Sequence, residues 1–566
     1  MTRRWPEGRL RPPPGPARCS VAVATIVLWV CAAASWLAAP ATTAVGASVS
    51  PLPAVDATRH AAEASRLRDP AWLARVYAAS GGAPVWFGPD GPRPAVDAAV
   101  RVLRSAADRG LDPRDREAAA LERSIRSAAE PSAAPDALVR ADVALTASIL
   151  RLLSDLHFGR VRPQAVEPFY RTRPREARFV GELGEAVAGN RLDALIAAAE
   201  PALPVYARLR AALPRYRALA ASPAPPLPPL RSQRTKVVAG ERYAGVAALH
   251  AFLVRVGDLP DDAARPIDDL YTDALAAGVS RFQARHGLAP DGVLGPQTLA
   301  ALNEPLATRV AQIELAMERL RWLPEPAGGR VIAVNVPSFE LWAFADARDT
   351  SRAALSMPVI VGKAVRHETP VFIGEMRAVE FSPYWNVPRN ILRNETLPRL
   401  ARDPSYLERE DMELVSTRGD GRVLTRIDPA SLEALRAGEL RVRQRPGARN
   451  ALGGVKFVLP NSMEVYLHGT PARELFGRTR RDFSHGCIRV RDPAALAAFV
   501  LQDRPEWTPD AIQAAMSSGR NRSVPLAAPI PVVIFYTTAT VDAEGRAIFL
   551  PDVYGHDRRL LEALRK

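Results

Sequence analysis

The sequence predicts a multidomain α and β protein. A helical N-terminal domain is followed by a small helical domain and then by a C-terminal mainly-β domain, which is interrupted by an inserted, partly helical subdomain. Three observations point there. At 566 residues the chain is too long for one core. Its apolar spacing is helical up to about residue 323 and alternates like a strand from Val331 onward. A proline-rich stretch at 222–230 (SPAPPLPPL) reads as a stiff, extended linker.

Apolar residues make up 48% and charged residues 24%, which fits folded domains and excludes a disordered chain. The net charge of +14 suits an acidic partner such as an anionic polymer or a membrane surface. Lysine occurs only at 236, 363, 456 and 566, so the excess is nearly all arginine. No basic stripe is interleaved with aromatics, and nucleic acid is not an expected partner.

The first 47 residues read as an export segment. Arg3, Arg4, Arg9, Arg11 and Arg18 precede an uncharged run at 20–39 (SVAVATIVLWVCAAASWLAA), and Val45-Gly46-Ala47 forms a small-residue cleavage site. The run is also long enough to remain as a membrane anchor, so cleaved signal and retained anchor both stand.

Residues 60–235 should form the helical domain. Val96, Val100, Leu103 and Ala107 recur at helical spacing before the stop at Gly110. Within 141–158, Val143, Ala147, Leu150, Ser154 and His157 line one face while Leu145, Ile149, Leu152, Leu153 and Leu156 fill the rest, as in a buried helix. His157 therefore reads as a packing residue, not a ligand. Residues 241–305 form the small unit. Leu275, Val279 and Phe282 share a helix face, Asp291-Gly292 is a turn, and Pro296 opens a last helix.

The β domain should span 330–505. Residues 331–336 and 339–344 read as a hairpin around Pro337-Ser338. A second hairpin is expected from 457–459 and 463–467, turning at 460–462. Between them, 388–447 is charged and partly helical and reads as an inserted lid. A helix is expected at 494–501 and late strands at 532–536 and 547–550. Residues 506–566 are expected to pack against the β domain as a C-terminal extension.

The chemistry concentrates in Ser484-His485-Gly486-Cys487-Ile488-Arg489-Val490. Cys19 and Cys31 lie in the export segment, so Cys487 is the only later thiol and no disulfide can form within the exported part. A thiol near an imidazole is the minimum equipment for acyl transfer. Two histidines compete for the role of base: His485 at i−2, and His468 at the end of the strand before Gly469-Thr470. Spacing does not choose between them. A turn at Gly486 would aim the Gly486 and Cys487 N–H groups at one point, as a tetrahedral oxyanion requires. A neighbouring imidazolium would lower the thiol from its usual pKa of about 8.5 and largely pre-form the thiolate. The chemical rival is zinc on His468, His485 and Cys487. Asp482 is the only close carboxylate and no familiar ligand spacing follows, so a metal is not expected.

The pair His468-Gly469-Thr470 and Ser484-His485-Gly486-Cys487-Ile488-Arg489 resembles the signature of the L,D-transpeptidase family, whose catalytic domain is of the YkuD type. The likeness extends to the large periplasmic members through 369–372 (TPVF), 383–388 (PYWNVP), 446–457 (PGARNALGGVKF), 531–536 (PVVIFY) and 552–555 (DVYG). Residues 60–220 resemble the scaffold domain of these enzymes. Residues 241–305, with Phe282-Gln283 and 291–298 (DGVLGPQT), resemble a peptidoglycan-binding domain.

The resemblance implies Cys487 as nucleophile and His468 as base, oriented by the carbonyl of Gly469. It implies an oxyanion site shaped by Ser484, His485, Gly486 and Cys487, and substrate contacts from Tyr466, Trp385, Arg489 and Asn450. Many members carry asparagine where this chain has Arg489. The implied partners are peptidoglycan stem peptides, a tetrapeptide donor and a diaminopimelate acceptor joined by 3→3 cross-links. A carbapenem would be a covalent inhibitor, and the location periplasmic. An L,D-carboxypeptidase using the same thiol and a non-catalytic wall-binding scaffold are the alternatives.

Overall fold

The computed structural model describes residues 53–565 except 131, 173–174, 231–234 and 264. The export segment read at 1–47 lies outside the described residues. Among the described residues no helix is long and apolar enough to cross a membrane.

The helical domain packs around Pro135–Phe158. Leu145, Ile149, Leu150, Leu152, Leu153 and Leu156 have no exposure at all, so beyond its exposed first turn this helix is buried over most of its circumference, with Arg151 and Asp155 only partly covered. One charge enters that core. Asp142 accepts the backbone N–H of Val85 at 3.1 Å and of Trp86 at 2.7 Å, and the Tyr77 hydroxyl at 2.6 Å. The helix Pro204–Ala221 belongs to a different core. It packs with Leu306–Arg321 and with the hairpin Ala539–Val541/Ala547–Phe549.

In the small helical unit, Gln283 ties the chain together. Its amide nitrogen donates to Asp291 at 2.8 Å and to Val293 O and Thr298 Oγ1 at 3.1 Å each, and its oxygen accepts the Gly292 N–H at 2.8 Å. Gly292 has φ +68°, and a Cβ there would stand 2.7 Å from the Ala276 carbonyl. The Asp-Gly turn and the Phe-Gln pair are thus one hydrogen-bonded knot.

The C-terminal domain is a mixed sheet closed into a barrel. Around the ring run Leu355–Gly362, Ile488–Val490, Leu467–His468, Val455–Val458, Phe372–Phe381, Arg522–Phe535, Val331–Asn335 and Glu340–Phe344, which pairs back onto Leu355–Gly362. The short strand Asp482–Ser484 adds to Leu355–Gly362. Closure leaves the ring without an edge. Phe381, Val455, Phe457, Leu467, Ile488 and Val532 fill its inside with no exposure.

Three expectations change. Residues 506–566 do more than pack against the barrel, because Arg522–Phe535 is one of its longest strands, antiparallel to Phe372–Phe381 and parallel to Val331–Asn335. Pro525, Pro529 and Pro531 hide it in the sequence. A register shift between Pro525 and Ile530 accommodates them. Second, of the run 463–467 only Leu467 is in a strand, which continues to His468. The Asn461 side chain accepts the N–H groups of Met463 and Val465 at 3.0 and 3.1 Å and donates to Leu459 O and Val465 O at 2.6 and 2.7 Å, so it satisfies backbone groups a partner strand would otherwise hold. Third, the inserted, partly helical subdomain also holds a sheet and has its own core. Trp385–Asn386, Leu440–Gln444, Met412–Ser416 and Val423–Leu424 form a four-stranded sheet. Leu400, Leu407, Leu414, Leu435 and Val442 lie buried beneath it.

Candidate active site

Leu467–His468 lies between two strands whose registers define the site. Lys456 stands opposite His468 on one side and Arg489 on the other, while Glu380 stands opposite Lys456. Because successive side chains alternate, Leu467 and Ile488 point into the barrel and His468 and Arg489 point out. Cys487 and Tyr466, two residues before Arg489 and His468, share that outer face, and the Ile488 N–H reaches Tyr466 O at 3.1 Å. One face therefore gathers Cys487, Tyr466, His468, Arg489, Lys456 and Glu380.

Cys487 is a free, partly exposed thiol. Its S–H donates to the carbonyl of Glu464 at 3.6 Å. Tyr466 meets the sulfur through both its backbone N–H and its hydroxyl. Burial pushes the thiol up from its ordinary value, and Tyr466, Lys456 and Arg489 only oppose that shift. This runs against the expected pre-formed thiolate, since burial favours the neutral thiol at rest.

His468 is buried. Its Nδ1 lies 2.5 Å from the Gly469 carbonyl, which can only accept, so Nδ1 carries the proton and Nε2 keeps its lone pair. Burial, with Arg489 and Lys456 nearby, lowers the imidazole to about 3. Imidazole and thiol are thus both neutral at pH 7. Gly469 sits close to its neighbours, and a Cβ there would stand 3.2 Å from the Leu452 carbonyl.

His485 is engaged elsewhere. Its Nε2 lies 2.6 Å from Oε1 of Glu395, and its ring is 4.7 Å from that of His367. Glu395 belongs to Leu392–Thr396, a π-helical turn of the insertion. The two histidines that the sequence leaves in competition are thereby separated.

Gly486 has φ +116°, a conformation suited to glycine. Its N–H donates to Ser484 Oγ at 3.1 Å, and the same hydroxyl donates to the Cys487 carbonyl at 2.5 Å. The expected pair of free N–H groups is therefore reduced to that of Cys487. The Gly486 carbonyl accepts from Thr369 Oγ1 at 2.8 Å, and Thr369 Oγ1 also accepts the Gly362 N–H at 2.8 Å.

Two expected substrate contacts have partners within the protein. Asn450 is buried, with its amide nitrogen on the carbonyls of Pro383 and Arg445 and its oxygen on the Leu452 N–H, so it holds the 444–452 loop and has nothing left for a ligand. Trp385 pairs with Gln444 and packs against the core of the insertion. Three neighbours were not legible as site residues. Lys456 stacks over the Tyr466 ring at 4.5 Å and pairs with Glu380 at 3.7 Å. Glu464 holds φ +57°, which turns its carbonyl toward the thiol, and Glu395 grips His485. Their only sequence signals are the scarcity of lysine and a turn-forming Asn461. Among the described residues no three of His, Cys, Asp and Glu gather as metal ligands.

Comparison with known proteins adds to this geometry. Residues 71–213 match a scaffold domain model, 242–302 a model described as "Putative peptidoglycan binding domain", and 329–524 the L,D-transpeptidase catalytic domain, YkuD. A Haemophilus influenzae protein named "Putative L,D-transpeptidase" is 34% identical over 281 residues, which is 48% of this chain and 54% of that relative. The chain thus spans about half the length of that relative. With a cysteine, a buried imidazole and a tyrosine on one face of its barrel, the C-terminal part of this chain resembles the L,D-transpeptidase catalytic domain, YkuD, and it follows regions that match a scaffold domain and a peptidoglycan-binding domain model.

Proposed function

We propose that this protein is a cysteine-dependent L,D-transpeptidase that forms 3→3 cross-links between peptidoglycan stem peptides. The observation that carries the reading is the shared face of Cys487, Tyr466 and His468, with Nε2 of His468 unprotonated. As the sulfur attacks the carbonyl of a diaminopimelate residue, its proton passes to Nε2. The tetrahedral intermediate collapses, and the terminal D-alanine leaves with that proton on its amine. A thioester on Cys487 remains. The side-chain amine of a second stem then attacks, Nε2 takes its proton, and the new amide forms as the thiolate departs and is reprotonated. The Cys487 N–H is the oxyanion donor in both steps.

Neither step calls on a metal or an organic cofactor. The 241–305 unit would hold glycan or stem peptide near the barrel, and the 388–447 insertion would act as a lid over the thiol face through Glu395 and His485. The wall-directed domains support an extracytoplasmic location, and the export segment refines it to the periplasm. Carboxypeptidase action would follow from the same thioester if water replaced the amine.

Mass spectrometry of the purified protein with a tetrapeptide donor tests the reading. A thioester on Cys487 and, with acceptor, a 3→3 dimer are expected, as is a covalent adduct with a carbapenem. A Cys487→Ala protein that still makes 3→3 dimers would refute it.

A further inference from the structure

Arg489 is a cation without a counter-ion beside the nucleophile. Among the described residues it makes no hydrogen bond and no ion pair, and its Nε is fully shielded from solvent with no acceptor. Burial depresses its guanidinium, and the sulfur of Cys487 is the one group that opposes this. The other cation on this face differs. Lys456 is held by Glu380 at 3.7 Å and by the Tyr466 ring. Deeper guanidiniums are also paired: Arg285 with Asp258, its Nε at 2.9 Å, and Arg321 with Glu318 at 3.2 Å. A half-buried, unpaired guanidinium is costly unless something arrives to neutralise it. Its planar fork is suited to a carboxylate, which it binds with two parallel hydrogen bonds.

Position says which carboxylate is near. Arg489 and Cys487 are two residues apart on one face of a strand, so their Cα atoms stand about 6.6 Å apart along it. In an acyl donor whose last peptide bond is attacked, the terminal carboxylate carbon lies roughly one residue, about 3.8 Å, beyond the reacting carbonyl. A donor lying along Ile488–Val490 with its carbonyl over Cys487 directs that carboxylate toward Arg489, and the long arginine side chain can cover the roughly 3 Å that remain. In a longer donor an uncharged amide would take that place and leave the guanidinium unpaired. We propose that Arg489 receives a carboxylate of the acyl donor, the terminal one by this spacing, and so confines acyl transfer to the last peptide bond. The inference rests on the transpeptidase reading and assigns one residue the choice of bond. The same fork would also accept the side-chain carboxylate of the diaminopimelate residue, and the experiment separates the two.

The test uses the purified full chain and three donors: the tetrapeptide free acid, its C-terminal carboxamide, and the tetrapeptide amidated at the diaminopimelate side chain. Thioester formation on Cys487 is followed by mass spectrometry. Wild type should favour the free acid over the C-terminal carboxamide by on the order of 100-fold, since a site built around a charged group rejects the analogue lacking it. Arg489→Gln should lose that preference and Arg489→Lys regain part of it. Iodoacetamide labelling of Cys487 checks that each variant keeps its site. Equal wild-type rates on free acid and carboxamide overturn the proposal, as does a preference that survives in Arg489→Gln. Sensitivity to the side-chain amide alone overturns the assignment to the terminal carboxylate. If no donor acylates a Cys487 that iodoacetamide still labels, the transpeptidase reading itself falls.

Discussion

The neutral thiol and neutral imidazole make a prediction about how Cys487 reacts before substrate arrives. A thiol held above its usual value of about 8.5 is at most about 3% ionised at pH 7. Alkylation by iodoacetamide depends on that fraction. Between pH 6 and 8 the labelling rate should therefore climb about 100-fold, close to tenfold per unit, with no plateau on the acid side. A thiolate–imidazolium pair behaves differently, because its rate stays nearly flat from mildly acidic pH to the alkaline limit. The His468→Gln variant sharpens the contrast. With both groups neutral the substitution should move the labelling rate only a few-fold, whereas in an ion pair it abolishes the plateau. The assay is the rate of mass gain at the peptide containing Cys487, read from pH 5 to 10. A flat profile in wild type that turns steep in His468→Gln would show that burial does not keep this thiol protonated, and the general-base role given to Nε2 would fall with it.

Further outcomes follow from the same geometry. Tyr466→Phe removes a hydroxyl that lowers the thiol's pKa, so labelling at pH 7 should slow several-fold while the fold stays intact; an unchanged rate would detach the hydroxyl from the sulfur. At Gly362 a Cβ would fall 1.8 Å from the His367 carbonyl, so Gly362→Ala should displace the 363–369 loop, lower the melting temperature and cost about 1–3 kcal/mol or more. An alanine variant with wild-type stability would contradict that packing. Glu395→Ala frees His485 from the insertion and should raise hydrogen exchange across 389–409; unchanged exchange would deny the contact a latching role. His468 is lowered from 6.5 to about 3, so the unfolded chain binds a proton at acid pH that the folded site refuses. Stability is full above pH 6.5 and is lost as pH falls toward 3. By pH 4.5 wild type should lose about 3 kcal/mol relative to His468→Gln, read from the urea transition of the barrel; no relative change would mean that the imidazole takes up its proton while folded.

Much of this was legible because certain residues leave their chemistry in the sequence. A lone exported-side cysteine, a strand-end histidine and a glycine between them need no partner to be read. The apolar period of 141–158 identifies a largely buried helix, and Asp291-Gly292 marks a turn that Gln283 then holds. What stayed hidden depends on contacts far apart in the chain. Arg522–Phe535 carries three prolines, and only its neighbours show that a register shift absorbs them. Asn461 stops the expected strand at 463–466 by bonding the backbone itself, an effect with no period to betray it. Asn450 looks like a ligand residue beside a glycine-rich loop, yet its bonds all close inward. The insertion reads as charged because its polar face dominates the composition. Its core residues alternate along strands only five residues long.

The arrangement of charge on the thiol face argues that substrate completes the site. Cys487 sits near two cations, Lys456 and Arg489, and beside Tyr466, and among the described residues no carboxylate hydrogen-bonds the sulfur. A cationic surround should favour a thiolate, but burial outweighs it, and the sulfur keeps its proton on the Glu464 carbonyl. That balance has a use for a thiol with no disulfide partner. Thiolates oxidise far faster than thiols, so a protonated sulfur is the slower target while the enzyme waits. Ionisation is then best deferred to the moment when a carbonyl stands over the sulfur and Nε2 of His468 can take the proton directly. A base lowered to about 3 is weak in isolation, and it can serve only if the transition state supplies what burial withholds. A carboxylate on Arg489 does so. It removes the guanidinium's positive field from the imidazole, the second-largest cause of that lowering, and raises the base as the donor binds. Binding of the donor's charged end and activation of the nucleophile are, on this geometry, one event.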